Sequence, residues 1–171
     1  SIGYAVPGLI LAVGMVQLLV YLDNNFFTSI DLVLTGSLFG LLMAYIIKTY
    51  ALANSSIEAG YESITSSMDD SSRLLGSSGW SMLIRVHSPL LKTSVLTAIL
   101  LVISEVVKEL PATLILRPFN FETLAVSTYL YAAEERMYQA ASPAIAIVLI
   151  GLIPIFFLSK MIRSSNKQNN G

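Results

Sequence analysis

Ser94, Thr97, Ser104, Glu105 and Lys108 recur at helical spacing in LLKTSVLTAILLVISEVVKEL, residues 90–110, a stretch otherwise almost wholly apolar. With Leu101 filling the gap, they form one polar stripe along a helix. A charged side chain inside a bilayer costs about 2.5–3.5 kcal/mol on insertion scales, and is kept where it pairs or faces a water-filled path. Such a stripe offers passage to a polar solute, and Glu105 and Lys108 also stand close enough along the helix to pair. The competing reading puts Glu105–Glu109 at the outer headgroup level. Glu105 lies about 15 residues into the stretch, roughly 22 Å along a helix, which favours the outer third of a membrane. Pro111 lacks an N–H and disfavours helix at Leu110, so it should break the span. Broken helices at membrane depth are tolerated where they line a cavity, and transporters place substrate paths there. Glu109, Pro111 and Thr113 in ELPAT are therefore candidate outer-gate residues, against the alternative of a plain helix end.

Other chemistries lack their parts. The chain has no cysteine and one histidine, so no thiolate or unaided zinc site is available. It has no GxxxxGK[ST] phosphate loop, no HExxH and no GxSxG. No catalytic residue and no metal site is expected, and no cofactor bound by this chain. No basic block is large enough to track nucleic acid.

The elements that must hold the stripe are membrane spans. The chain is 54% hydrophobic and 12% charged, with a mean hydropathy of +0.71. Soluble domains carry about 25% charged residues, so this chain cannot clothe itself in a polar surface. Four segments reach the roughly 20 apolar residues that a bilayer core requires: residues 3–22, 32–52, 90–110 and 143–162. Gly36, Gly40 and Ala44 are spaced by four and offer one face for close helix approach. Ser142 before Pro143 reads as a helix start, while Pro7 and Pro154 should kink or break their helices. The opening SIGYAVPG has no Met and no signal-peptide pattern, and reads as the cut edge of a longer chain. Arg73, Arg85 and Lys92 in one loop, and Lys160, Arg163 and Lys167 in the tail, belong on the cytoplasmic side. The N-terminus then lies inside, residues 23–30 outside, the long loop inside, 111–142 outside and the C-terminus inside. A surface helix is expected over Glu122–Arg136. Tyr129, Tyr131 and Tyr138 read as interface aromatics.

The long loop is patterned. Ser55 and Glu58 suggest a capping box opening a surface helix over 55–75. Ile57, Tyr61, Ile64, Met68 and Leu75 fall on one face. Gly76 can end that helix, a short helix follows around Trp80–Val86, and Pro89 opens the third span. The stripe, with Trp80, requires a covering surface: the protein's own spans, lipid headgroups or a partner protein.

This segment resembles the EAA loop of importer-type ABC permeases: Glu-Ala-Ala, three residues, Gly, nine residues, then Ile-x-Leu-Pro. Asp70-Ser71-Ser72 stands for Glu-Ala-Ala, Gly76 for the Gly, and Val86, Ser88 and Pro89 for Ile, Leu and Pro. KELPATLILRPFNFETLAVSTYLYAAEER, residues 108–136, is similar to the matching region of ferric iron ABC permeases, which carry a KELPAT-like turn, an LRPFNF-like segment and an EER-like end.

The resemblance implies an all-α, polytopic transmembrane helical bundle of the ABC importer permease type (MetI-like), with about four spans in residues 1–171. It implies a cytoplasmic coupling loop, residues 55–89, whose contact residues are Met68, Asp69, Asp70, Ser71, Ser72, Leu75, Gly76, Trp80, Val86 and Pro89. The implied partners are an ABC ATPase subunit, present as a dimer and consuming the ATP, a periplasmic or lipid-anchored substrate-binding protein, and the other permease half, fused or separate. Membrane lipid surrounds the spans, and the implied location is the bacterial inner membrane. Ferric iron is the expected cargo, moved by alternating access. Thiamine, molybdate or sulfate, a polyamine or a phosphonate are alternative cargoes on the same fold. A membrane scaffold without a transport path is the alternative of another class.

Overall fold

The computed structural model describes residues 7–26, 33–74, 76–77 and 79–169, the side chains of 158 and 161–169 excepted. Among the described residues, seven helical elements succeed one another: α1 Gly8–Asn25, α2 Leu38–Glu62, α3 Ser66–Leu74, α4 Trp80–Val107, α5 Pro111–Leu116, α6 Leu124–Ala133 and α7 Met137–Asn169. Within α4, Leu83–His87 forms a π-helical turn between Trp80–Met82 and Ser88–Val107. Helices α1, α2, α4 and α7 are each long and apolar enough to cross a membrane. The expected residues 3–6 of the first span, 27–32 of the outer connection, and Leu75 lie outside the described residues.

The spans are placed differently from the hydropathy reading, for local reasons. Pro7 stands before α1 rather than within its described part, and its carbonyl accepts from Ile10 and Leu11. The Asp23 carboxylate accepts from the Leu34 and Thr35 amides, at 2.8 and 2.9 Å, and from the Thr35 hydroxyl at 2.7 Å. Gly36 follows in the left-handed region, with φ +71°, and Ser37 caps α2 by accepting from Gly40 N–H. The second span therefore starts at Leu38 rather than residue 32. Gly36 belongs to a turn and not to the small-residue face.

The expected surface helix over 55–75 is divided. α2 runs straight through the predicted capping box, because nothing between Leu52 and Gly60 breaks a helix. The Ser55 and Ser56 hydroxyls bond back to the Leu52 carbonyl instead of capping. The helix ends where Ser63 N–H and hydroxyl both donate to Gly60 O. Of the expected stripe, Ile57 and Tyr61 thus lie on α2, Ile64 in the connection and Met68 on α3, while Leu75 lies outside the described residues.

α4 also differs from expectation, since Pro89 does not open it. Proline removes a donor and crowds the carbonyl four residues back. The π turn accommodates this: Ser88 N–H reaches the Leu83 carbonyl, five residues back, so the helix widens and continues. At the other end of the chain, Glu135 takes a left-handed conformation (φ +59°), and Arg136 N–H donates to Tyr131 O at 2.8 Å. This turn delivers the chain directly into α7, which starts at Met137 and not at the expected Ser142–Pro143. Pro143 and Pro154 sit inside the helix. The predicted outer helix is present but shorter, capped by Thr123, whose hydroxyl accepts from Val126 N–H.

The core is small and local. Ala12, Met15 and Leu19 of α1, Leu41 and Ala44 of α2, and Ala112 and Leu116 of α5 form one buried cluster. Gly40 and Ala44 supply the small face predicted for α2, and Gly40 meets the Leu19 side chain. α4 packs along α2 and touches α7, and α6 packs on α7. At the α2–α4 crossing, Gly60 lies against Ser94 and Leu91, so close that a Cβ there would collide with Ser94. Most other described apolar side chains point outward, as a membrane requires.

Candidate functional site

Two groups of the expected residues are brought together, one in the long loop and one at the break after α4.

In the loop, α3 and the start of α4 make a helical knob. Its turn follows from the sequence: Gly76 has φ +81°, a conformation that a Cβ penalises. Its N–H donates to Arg73 O at 2.9 Å, and Ser77 N–H donates to Ser72 O at 3.0 Å. This is the Schellman arrangement that closes a helix with glycine. Asp70 is exposed and Ser71 donates to the Ser67 carbonyl. Met68, Ser71, Ser72 and Val86 line an open groove between α3 and α4, with Ser67, Ser77 and Leu90. Leu74 is 90% exposed and Trp80 78%, leaving two large apolar side chains uncovered at the tip. Pro89 is exposed just beyond the π turn.

The feature that sequence reasoning missed is His87. Its Nε2 lies 2.8 Å from Asp69 Oδ1, and its ring meets Tyr61 edge to face at 5.9 Å. One imidazole thereby ties the end of α2, the start of α3 and the π turn together. The signal is an acidic residue and a lone histidine flanking a glycine turn, which only the folded turn connects.

Ser72 is buried and, among the described residues, its hydroxyl has no hydrogen-bond partner. A buried unsatisfied polar group costs about 1–3 kcal/mol. Ser72→Ala is therefore expected to raise the unfolding free energy by about 1 kcal/mol, measured by thermal unfolding of the full-length protein in detergent. A loss of stability would show that the hydroxyl has a partner in the assembled protein.

The second group surrounds the break. Ser94, Thr97 and Ser104 are each half-buried, with Ser94 at the α2 crossing. Glu105 and Lys108 form the expected pair at 2.9 Å. α4 ends at Val107, and Pro111 starts α5 at a position where its missing N–H is harmless. Between them Glu109 is only 4% exposed and ion-paired with Lys48 of α2. Its other oxygen accepts from Ala112 N–H at 3.0 Å, capping α5. Thr113 is fully buried; its hydroxyl donates to the Glu109 carbonyl at 2.9 Å and lies 2.6 Å from the Tyr45 hydroxyl, which is left to donate. Gly8 borders the pair, its missing side chain leaving room for Glu109 Oε1 and Lys48 Nζ.

The position of this cluster along α2 can be counted from the helix start. Lys48 lies about ten residues, roughly 15 Å, from the start of α2, in a helix of 25 residues. Glu109 is opposite it, and α5 continues beyond. The expected third span begins at Leu90, whereas the helix begins at Trp80. Lys48 stands within α2 and not at its end.

After α5, Arg117 donates to Phe121 O at 2.9 Å and stands 3.8 Å from Glu122, while Phe119 and Tyr138 are almost fully exposed. Tyr131 lies under the Arg136 guanidinium, 5.0 Å from ring centre to Cζ.

Four apolar spans, a broken helix with a buried ion pair and a polar helical knob in the longest connection define a multi-pass membrane protein of the all-α permease type. The chain belongs to the family described as binding-protein-dependent transport system inner membrane component, whose model matches residues 1–167. It is 27% identical over 158 residues to the Fe(3+)-transport system permease protein FbpB 2 of Haemophilus influenzae, covering 92% of this chain and 29% of that one. It is 26% identical over 137 residues to the putative 2-aminoethylphosphonate transport system permease protein PhnV of Salmonella typhimurium, covering 80% of this chain and 52% of that one. The chain thus spans less than a third of the first relative and about half of the second.

Proposed function

We propose that this chain is part of the permease subunit of an ATP-driven importer, and that its cargo is ferric iron. The observation that carries the reading is the knob: a glycine-closed turn between two helices, pinned by His87–Asp69 and bearing exposed Leu74 and Trp80. A compact polar knob with an uncovered apolar tip suits docking into a groove of a separate ATPase dimer. The family's description supports a binding-protein partner, and in this reading it meets the opposite face at residues 23–30 and 111–142. Both chain ends then lie in the cytoplasm, in a bacterial inner membrane. The permease contributes no catalysis, and ATP is consumed by the partner.

In this reading ATP binding draws the knobs of two permease halves together, and the spans reorient between outward- and inward-open states. The polar residues of α4 and the break at Glu109–Thr113 line or close the outer part of the path. Such a permease needs no tight cargo site, because a deep binding well slows release. The likeness to FbpB 2 favours iron. The likeness to PhnV favours a second reading with a phosphonate cargo on the same mechanism.

The test is co-purification of the full-length protein with its ATPase, comparing wild type with Gly76→Arg. Arginine at φ +81° strains the turn by about 1–2 kcal/mol and sets a bulky cation at the docking face. The expected result is at least a tenfold loss of bound ATPase at unchanged membrane insertion. Equal recovery of ATPase with both proteins would remove the knob from the interface.

A further inference from the structure

We propose that Lys48 and Tyr45 of α2 are the positioning residues of the outer gate, and that the Lys48–Glu109 pair is the clasp that holds α5 closed against α1 and α2; this rests on the permease reading above. α5 is a six-residue helix, too short to hold its place by its own hydrogen bonds. Two kinds of attachment hold it. Ala112 and Leu116 bury into the α1–α2 cluster, and the Glu109 carboxylate and the Thr113 hydroxyl engage Lys48 and Tyr45. The apolar part is small, so the polar part decides whether α5 stays.

The connections on either side fit a segment that moves as a unit. Before α5 the chain leaves helical geometry at Lys108, with ψ near zero. After it Arg117 is extended, and Asn120 takes φ +60°. α5 contacts α1 and α2, whereas α6 contacts α7. α5 is thus bracketed by two non-helical joints, with its anchoring charge on a different helix from the one that leads into it. A charge pair suits a releasable contact. It is strong while dry, and water entering the path weakens it by raising the local dielectric. The other oxygen of the Glu109 carboxylate accepts from Ala112 N–H, so the same side chain that meets Lys48 also holds the start of α5.

The test uses the full-length protein in a cysteine-free background, with Ala112→Cys as reporter and a small membrane-impermeant thiol reagent applied from outside. The variants are Lys48→Arg, which keeps the charge, and the neutral double variant Lys48→Met with Glu109→Gln, which leaves no unpaired charge and keeps an acceptor for the amide N–H of position 112. A separate reporter, Ala98→Cys, buried on α4, reads global unfolding. The expected result is at least a tenfold faster labelling of the α5 thiol in the double variant, with the α4 thiol unchanged and Lys48→Arg within about threefold of wild type. Cargo uptake per permease falls at least tenfold in the double variant while ATP hydrolysis by the assembled transporter continues. Labelling of the α5 thiol within twofold of wild type overturns the clasp. So does acceleration of the α4 thiol together with the α5 thiol, which makes the pair merely structural. If the wild type itself moves neither ferric iron nor a phosphonate, both cargo readings fail, and the labelling rates still decide the clasp.

Discussion

Lys48→Met is expected to destabilise the protein by about 3–5 kcal/mol, because it strands the Glu109 carboxylate in a dry site. Glu109 is almost wholly enclosed by Lys48, Ala112 and the start of α1. Glu109→Gln leaves the lysine unpaired instead and costs less, because the Lys48 side chain is more exposed than the Glu109 carboxylate. Adding Glu109→Gln to Lys48→Met should then recover most of the loss, since a neutral amide beside a thioether carries little desolvation penalty and still accepts from Ala112. The coupling between the two changes is the decisive number. Residues in direct contact usually couple by about 0.5–3 kcal/mol, and losses that largely cancel in the double variant put this pair at or above the upper end of that range. Thermal unfolding of the four proteins in detergent gives the cycle. Additive effects would mean that the two charges do not see each other in the folded protein.

Gly60→Leu is the second large effect expected, of opposite character. Here the problem is volume and not charge. A side chain at Gly60 runs into Ser94 and Leu91 at the α2–α4 crossing, and the obstruction at Ser94 includes its Cβ, which cannot swing aside. Overpacking of this kind costs about 1–3 kcal/mol and occasionally more. α4 must tilt away, which disturbs its whole length. The contrast is with Gly14→Leu and Gly151→Leu, where a Cβ meets nothing within 4 Å. Those two should gain up to about 0.8 kcal/mol from helix propensity. Melting temperatures of the three variants, at equal detergent and protein concentration, check the ordering. If Gly60→Leu melts with the other two, α2 and α4 do not cross there.

The class of the fold is legible in the sequence because it rests on composition and length, which hydropathy reads directly. The knob is legible in part. Gly76 announces its own turn, since few other residues accept φ +81° at a helix end. The helix before it is misjudged because Ser55 and Glu58 satisfy a capping pattern that a helix already running from Leu38 overrides. Pro89 and Pro143 read as starts for the same reason: a proline signal is local, whereas a π turn and a preceding left-handed Glu135 are settled by the neighbouring turns. Of the candidate site, Glu105–Lys108 is predictable from spacing, and Glu109–Pro111 from the break. Lys48 and Tyr45 are not, because they are more than 60 residues away in sequence. Only the packing of α5 back onto α2 joins them. His87 and Asp69 are hidden likewise, on opposite sides of the glycine turn.

The π turn has a mechanical result. By widening around Pro89 instead of breaking, it leaves Trp80–Val107 as a single rod of 28 residues, about 42 Å long at 1.5 Å per residue. One end of this rod is the tip of the knob and the other adjoins Glu109. A rod converts angle into travel: a tilt of about 5° at one end displaces the other by roughly 4 Å over that length, further than a hydrogen bond can stretch. The path that would carry a push on Trp80 towards the Lys48–Glu109 pair is therefore continuous helical backbone as far as Val107, and the single joint at Lys108 is all that separates it from Glu109.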